Sequence, residues 1–292
     1  MIGFIGLGHM GEPIARRLAA SGSQVAVFDR RVESADRCLD EGASWLTPVE
    51  MAACCETAMI CVATFEQVSV VLDTLLEALP EHGRLSTIVV LSTITPSQML
   101  LLAGLAQPRG ISMVDAPISG SDEARENGQL TLMLGGDRET IDRLRPDFSR
   151  FASSIFFAGP VGSGQATKLA NNILALCGLL AVVDALAMAS AYDVDEDILR
   201  AAISVSTGDT YALRHLEFWR SLKREHPQGD SPDFVKFMQK DLRSALAAAG
   251  DAGIQLHLVP AAIAAMPESL RELWPESWPL PPTAVEGQTG HD

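Results

Sequence analysis

The sequence predicts an α/β protein with a doubly wound, mostly parallel sheet in its first half and a separate all-α domain after it. Three observations lead there. Short apolar runs alternate with amphipathic helical stretches as far as about residue 160. Strand patterns then stop, and long helical patterns follow. At 292 residues the chain also exceeds one typical domain and carries ample apolar material for a core.

Taken in order, IGFI at 2–5, QVAVF at 24–28, TAMICVA at 57–63, TIVVLS at 87–92 and SMVDAP at 112–117 read as strands. Between them, EPIARRLAASG and EQVSVVLDTLLEAL repeat apolar residues at the i, i+3, i+4 spacing of amphipathic helices. Such alternation places helices on both faces of a parallel sheet. QLTLMLGG at 129–136 and SIFFAG at 154–159 extend that sheet. After Gly164, QATKLANNILALCGLLAVVDALAMASAY is apolar nearly all round, which predicts a helix enclosed by protein, with a hint of a partner subunit. DEDILRAAISVS, DFVKFMQKDLRSALAAAGDAG and VPAAIAAMPESLRELW are further helical stretches. The expected division is 1–162, 163–274, and a loose proline-rich tail over 275–292.

Composition limits the function classes. There are 22 basic against 37 acidic residues, a net charge of −15, which argues against nucleic acid and anionic membranes as partners. Cys38, Cys54, Cys55, Cys61 and Cys177 are odd in number and lack CxxC spacing, so buried thiols are expected rather than disulfides or zinc. The histidines form no HxxxH pair or carboxylate cluster, so no metal site is expected. Asn172 and Asp184 interrupt the segment from Leu169 to Ala191, leaving it short of the ~20 apolar residues a membrane crossing needs. Strand-like residues begin at Ile2, so no leader is expected and the cytoplasm is the default compartment.

GLGHMG follows the first strand at once and opens the first helix. Gly6 permits the tight turn, Gly8 lets the backbone approach a pyrophosphate, and Gly11 allows close helix–strand packing. The helix N-terminus offers free N–H groups to phosphates. A second strand then ends in Asp29, as the dinucleotide fingerprint of a Rossmann domain requires. Leu7, His9 and Met10 complete the loop, with the side chain of His9 expected to be incidental. Asp29 is placed to accept from an adenosine ribose, favouring NAD, whereas Arg30 and Arg31 suit the 2′-phosphate of NADP. Val62, Ala63 and Thr64, closing the third strand, are further cofactor-binding candidates.

GPVGSGQATKLANN, spanning Gly159 to Asn172, has the form G-x-x-G-x-G-x-x-x-K-x-x-x-N. With GFIGLGHMG and with DAPISGS at 115–121, it resembles the β-hydroxyacid dehydrogenase family of 3-hydroxyisobutyrate dehydrogenase and tartronate semialdehyde reductase. KDL at 240–242 falls where that family also has one. The resemblance implies that Lys168 is the catalytic acid/base, that Asn172 contacts substrate, and that Ser119 and Gly120 contact its carboxylate. It further implies that Thr93 lies near the nicotinamide ribose and that Lys240 closes over the cofactor. Three departures stand out. Ser121 occupies a position where the family usually has glycine, the aromatic Phe234 sits one residue closer to KDL than expected, and WPESWPLPPTAVEGQTGHD replaces the family's last helix.

The chemistry is coherent on its own terms. Hydride removal from an alcohol leaves a hydroxyl proton, which a lysine can take when burial and nearby positive charge lower its pKa. Asn172 lies one helical turn beyond Lys168 and shares its face, while Asn171 is the weaker neighbour. Ser206, Thr207 and Asp209, in STGDTYA, are further substrate-side candidates by the same resemblance. The expected function is an NAD(P)-dependent oxidoreductase acting on a small 3-hydroxy carboxylate or its semialdehyde, as a dimer or tetramer. The rivals are an imine-reductase-like NADPH enzyme and a non-catalytic dinucleotide-binding protein.

Overall fold

Period-two alternation decides which side chains line each face of the sheet. In β1 (Ile2–Ile5), Ile2 and Phe4 face one way and Ile5 the other. In β4 (Thr57–Ile60) and β5 (Thr87–Val90), Met59 and Val89 join the first side, while Ala58, Ile60, Ile88 and Val90 join the second. Both sides are apolar, as strands covered on two faces must be. β2 (Val25–Phe28), β3 (Ser44–Trp45) and β6 (Ser112–Asp115) complete a parallel set in the order β3-β2-β1-β4-β5-β6. β7 (Ile118–Ser119) and β8 (Leu130–Gly135) continue it as antiparallel partners, and β9 (Ala152–Gly159) pairs parallel with β8. This computed structural model describes residues 1–221 and 231–273. The proline-rich tail, with Trp274 and Trp278, and the side chain of Phe234 lie outside what is described.

Helices cover both faces. Ile14 and Leu18 of α1 (Gly11–Ala20) pack on the side of Phe4. After α2 (Asp36–Asp40), Met51 of α3 (Pro48–Cys54), Leu72 and Leu75 of α4 (Phe65–Ala78) and Leu102 of α5 (Pro96–Ala106) fill the opposite side. α3 and α5 each begin with a threonine capping box and a proline in the first turn, so the local sequence fixes where they start. α6 (Asp122–Glu126) follows β7, and α7 (Arg138–Phe148) returns Ile141 and Phe148 to the side of Phe4.

Two compact units emerge, Met1–Asn172 with Ser244–Gln255, and Ile173–Arg243 with the chain from Leu256 onward. The second is helical and is built on α8 (Ser163–Ser190) from Ile173 onward, α9 (Glu196–Ser204), α10 (Tyr211–Arg214), α11 (Leu216–Ser221), α12 (Ser231–Asp251) as far as Arg243, and α13 (Val259–Leu273). Leu179, Leu216, Leu242, Met266 and Leu270 lie in its core. The expectation that α8 is enclosed is corrected within a single chain: Leu174 is 78% exposed and Met188 64%. The helix is apolar on most sides, and among the described residues packing partners cover only part of it. α8 is long and apolar enough, by length and composition, to cross a membrane, yet Leu179 and Val183 sit in the core and Asp184 is exposed.

Candidate active site

The chain leaves β1 toward β2 and returns on the other side at β4, so strand order reverses at β1 and leaves a crevice at its carboxyl end. The glycine loop fills that position. Gly6 has φ +99°, and a Cβ there would collide with the Cys61 carbonyl. A Cβ on Gly11 would strike the Gly6 carbonyl, so the turn and the start of α1 are held close. At Gly8 an added Cβ meets nothing within 4 Å. The loop is therefore tight where it packs on protein and open where a phosphate would approach, with the N–H groups of α1 behind it. A dinucleotide fits this loop.

Asp29, just past β2, is fixed on the loop: its Oδ2 accepts from the Leu7 N–H at 2.8 Å and its Oδ1 from the Arg31 N–H at 3.0 Å. Arg30 and Arg31 are exposed, and Arg31 Nε stands 4.0 Å from Asp29. At the ends of β4 and β5 the backbone is bound within the protein. Val62 N–H donates to Ser92 Oγ at 2.9 Å, and Ala63 N–H donates to Gln67 Oε1 at 2.9 Å. The Thr64 hydroxyl caps α4 by accepting from Gln67 N–H, and Thr93 is half-buried.

From the end of β6 the DAPISGS segment runs through β7 and Gly120 to Ser121, where α6 begins. Ser119 pairs with Thr131 across β7 and β8. A Cβ on Gly120 would lie 2.7 Å from Leu130 Cδ2, so the backbone there is pressed against β8. Ser121 accepts from Ala124 N–H at 3.2 Å and caps α6. Its hydroxyl is turned to the helix that follows.

Lys168 and Asn172 lie in the first turns of α8 and are buried, with 9% and 8% exposure. Asn171 Nδ2 donates to Asn172 Oδ1 at 3.1 Å, so Asn171 orients its neighbour's amide. The helix start is held by two buried groups that sequence reasoning did not single out. Asp115 accepts from the Gly162 and Gln165 N–H groups at 2.7 and 2.8 Å. The Gln165 side chain spans Ser92 and Ile94. Burial raises the pKa of Asp115, and the N–H groups of Gly162, Gln165 and Gly164 pull against that rise.

His9 requires a correction. Its side chain is not incidental: Nε2 sits 2.7 Å from Asp122 Oδ1 and against Arg125 Nη1, joining the glycine loop to α6. Nothing local signals this, because 113 residues separate His9 from Asp122. Lys240 belongs to the helical unit, on α12, with Nζ 3.1 Å from Asp241 Oδ1. Ser206, Thr207 and Asp209 lie in the same unit between α9 and α10, where Asp209 pairs with Arg214 at 3.5 Å. All five cysteines are free, and among the described residues no three metal-ligating side chains converge.

A mostly parallel sheet with its switch point under a glycine loop defines a dinucleotide-binding protein. Residues 1–159 match the NAD binding domain of 6-phosphogluconate dehydrogenase, and residues 162–275 match the NAD-binding domain of NADP-dependent 3-hydroxyisobutyrate dehydrogenase. NAD-dependent L-serine dehydrogenase of Pseudomonas aeruginosa is 33% identical over 256 residues, covering 85% of each chain. The 3-hydroxyisobutyrate dehydrogenase of the same organism is 31% identical, covering 84% of each. The solved structure of Mycobacterium tuberculosis 3-hydroxyisobutyrate dehydrogenase with L-serine superposes with a TM-score of 0.81 at 26% identity, over 91% of this chain and 92% of that one. The chain belongs to the NAD(P)-dependent, 3-hydroxyisobutyrate dehydrogenase-like family of hydroxyacid dehydrogenases.

Proposed function

We propose that this enzyme moves a hydride between a nicotinamide cofactor and a small 3-hydroxy carboxylate or the matching semialdehyde, with Lys168 as general acid/base. The observation that carries the proposal is a buried lysine one helical turn before a buried, oriented asparagine. In the oxidative direction the neutral Lys168 amine takes the hydroxyl proton as the carbinol C–H bond breaks, and the oxygen becomes a carbonyl. Bound nicotinamide supplies the hydride acceptor. In reverse, the Lys168 ammonium protonates the carbonyl oxygen. Asn172 donates to the same oxygen and fixes its direction, while Ser119 and the backbone at Gly120 hold the carboxylate.

On this reading residues 1–162 are the dinucleotide domain and 163–274 the substrate and subunit-contact domain. Leu7, His9 and Met10 lie along the pyrophosphate with Gly6, Gly8 and Gly11. Val62, Ala63, Thr64 and Thr93 flank the nicotinamide half, and Lys240 closes over it. Asp29, held by the Leu7 amide, favours NAD, and Arg30 and Arg31 leave NADP as the lesser cofactor. The cytoplasm is the proposed compartment, and the exposed Leu174 and Met188 support a homo-oligomer.

L-serine and 3-hydroxyisobutyrate, named with the relatives, are the first substrates to try. A 340 nm assay of 3-hydroxy acids with NAD and with NADP tests the proposal, and turnover of at least one of them is expected. Reduction of cyclic imines with no turnover of hydroxy acids would favour an imine reductase, a reading disfavoured by the retained Lys168 and DAPISGS. Cofactor binding without turnover of either class would leave a non-catalytic binding protein.

A further inference from the structure

We infer that Gln165 and Asp115 are positioning residues that fix the start of the Lys168 helix against the Ser92–Ile94 loop; this rests on the proposed role of Lys168. Both residues are fully buried. Asp115, at the end of β6, receives Gly162 N–H on Oδ1 and Gln165 N–H on Oδ2. From that anchored residue the Gln165 amide reaches back to the sheet. Its Nε2 donates to the Ser92 carbonyl at 2.9 Å and its Oε1 accepts from Ile94 N–H at 3.1 Å, straddling Thr93. Ser92 Oγ in turn accepts from Val62 N–H. The ends of β4, β5 and β6 are thereby chained to the first turn of α8.

Two features separate this from an ordinary helix cap. α3 and α5 are capped by adjacent threonines, the inexpensive local solution. α8 instead begins on a carboxylate from a distant strand whose burial is costly enough to raise its pKa. Room for that carboxylate is made by two glycines: a Cβ on Gly135 would lie 2.5 Å from Asp115 Oδ1, and one on Gly164 would lie 2.8 Å from Oδ2. The direction of the force also matters. Gln165, Lys168 and Asn172 fall at i, i+3 and i+7, one face of the helix, and all three are buried. A shift of the first turn therefore moves the Lys168 amine relative to Thr93 without reshaping the Ser119–Gly120 loop.

The experiment compares Gln165→Met and Asp115→Asn with wild type, using L-serine and 3-hydroxyisobutyrate as substrates with NAD. The expected result is a kcat lower by about 10- to 100-fold, the scale of a small misplacement of reacting groups. KM and the NAD dissociation constant should stay within about threefold of wild type, since uniform binding is untouched. In cofactor-free protein, amide exchange over residues 163–168 should accelerate selectively. Added to Lys168→Ala, Gln165→Met should cost nothing further, because its effect passes through that lysine. If Gln165→Met fails to fold, Gln165→Glu, which keeps the acceptor for Ile94, takes its place in every measurement. A loss that adds fully to that of Lys168→Ala, a rise in KM at unchanged kcat, or unaltered exchange over 163–168 would each overturn the inference and leave the acid/base role standing. Wild-type turnover by Lys168→Ala alone would overturn the acid/base role, and the inference with it, by a separate observation.

Discussion

Lys168 is kept at 9% exposure one helical turn before Asn172, whose amide Asn171 orients. Asn171 Nδ2 holds the Asn172 amide by its carbonyl oxygen, and the role proposed for that amide is to donate to the reacting oxygen. Asn172→Ala should therefore lower kcat by about 10- to 100-fold while leaving NAD binding unchanged, read by steady-state kinetics and fluorescence titration. The carboxylate of Asp29, proposed to meet the adenosine ribose, is held against the glycine loop with two arginines at hand. Asp29→Ser should raise the ratio of kcat/KM for NADP over NAD by about tenfold or more, since the group that repels a 2′-phosphate is gone and Arg30 and Arg31 remain. Both sets of candidates stand out in the sequence because their residues are close along the chain. Asp115 was not singled out, since its bond to Gly162 spans 47 residues and no spacing rule announces it.

Among the elements, strands with continuous apolar runs were readable to within a few residues, and the ladder follows them. β3 and β7, two residues each, were missed because two residues hold no period. Some helix starts follow local chemistry, as the Thr95 capping box of α5 shows. Thr95→Ala should cost about 1 kcal/mol in urea unfolding. In the helical unit Arg220 bridges α11 to α9 through a two-pronged contact with Glu196, at 2.8 Å on each oxygen. That hydrogen bond, and then the Arg220 and Arg200 charges, hold the Glu196 carboxyl below its ordinary value of 4.5. A depressed folded pKa means the contribution is fully present above pH 4.5 and is lost as pH falls through the lower, folded value. The pair is partly exposed, so less than about 1 kcal/mol is at stake. Glu196→Gln should flatten this acid dependence of the melting temperature, measured by circular dichroism between pH 6 and pH 3.

For the molecule as a whole, Leu174 and Met188 are apolar side chains on α8 that the other described residues leave exposed. Sequence patterning identified the helix as apolar all round, yet hydropathy cannot say which part is covered by the same chain and which by another. With Leu174 and Met188 exposed, the protein should sediment as a dimer or tetramer, and Leu174→Glu with Met188→Glu should shift it toward monomer. A monomeric wild type at micromolar concentration would remove the homo-oligomer.

Proton transfer by Lys168 is tested most directly by single-turnover oxidation of L-serine and 3-hydroxyisobutyrate, followed at 340 nm for wild type and Lys168→Ala with bound NAD. Loss of about 10²- to 10⁴-fold in the hydride-transfer rate, with NAD affinity retained, is the predicted result. An unchanged rate in the variant would contradict acid/base catalysis by this residue.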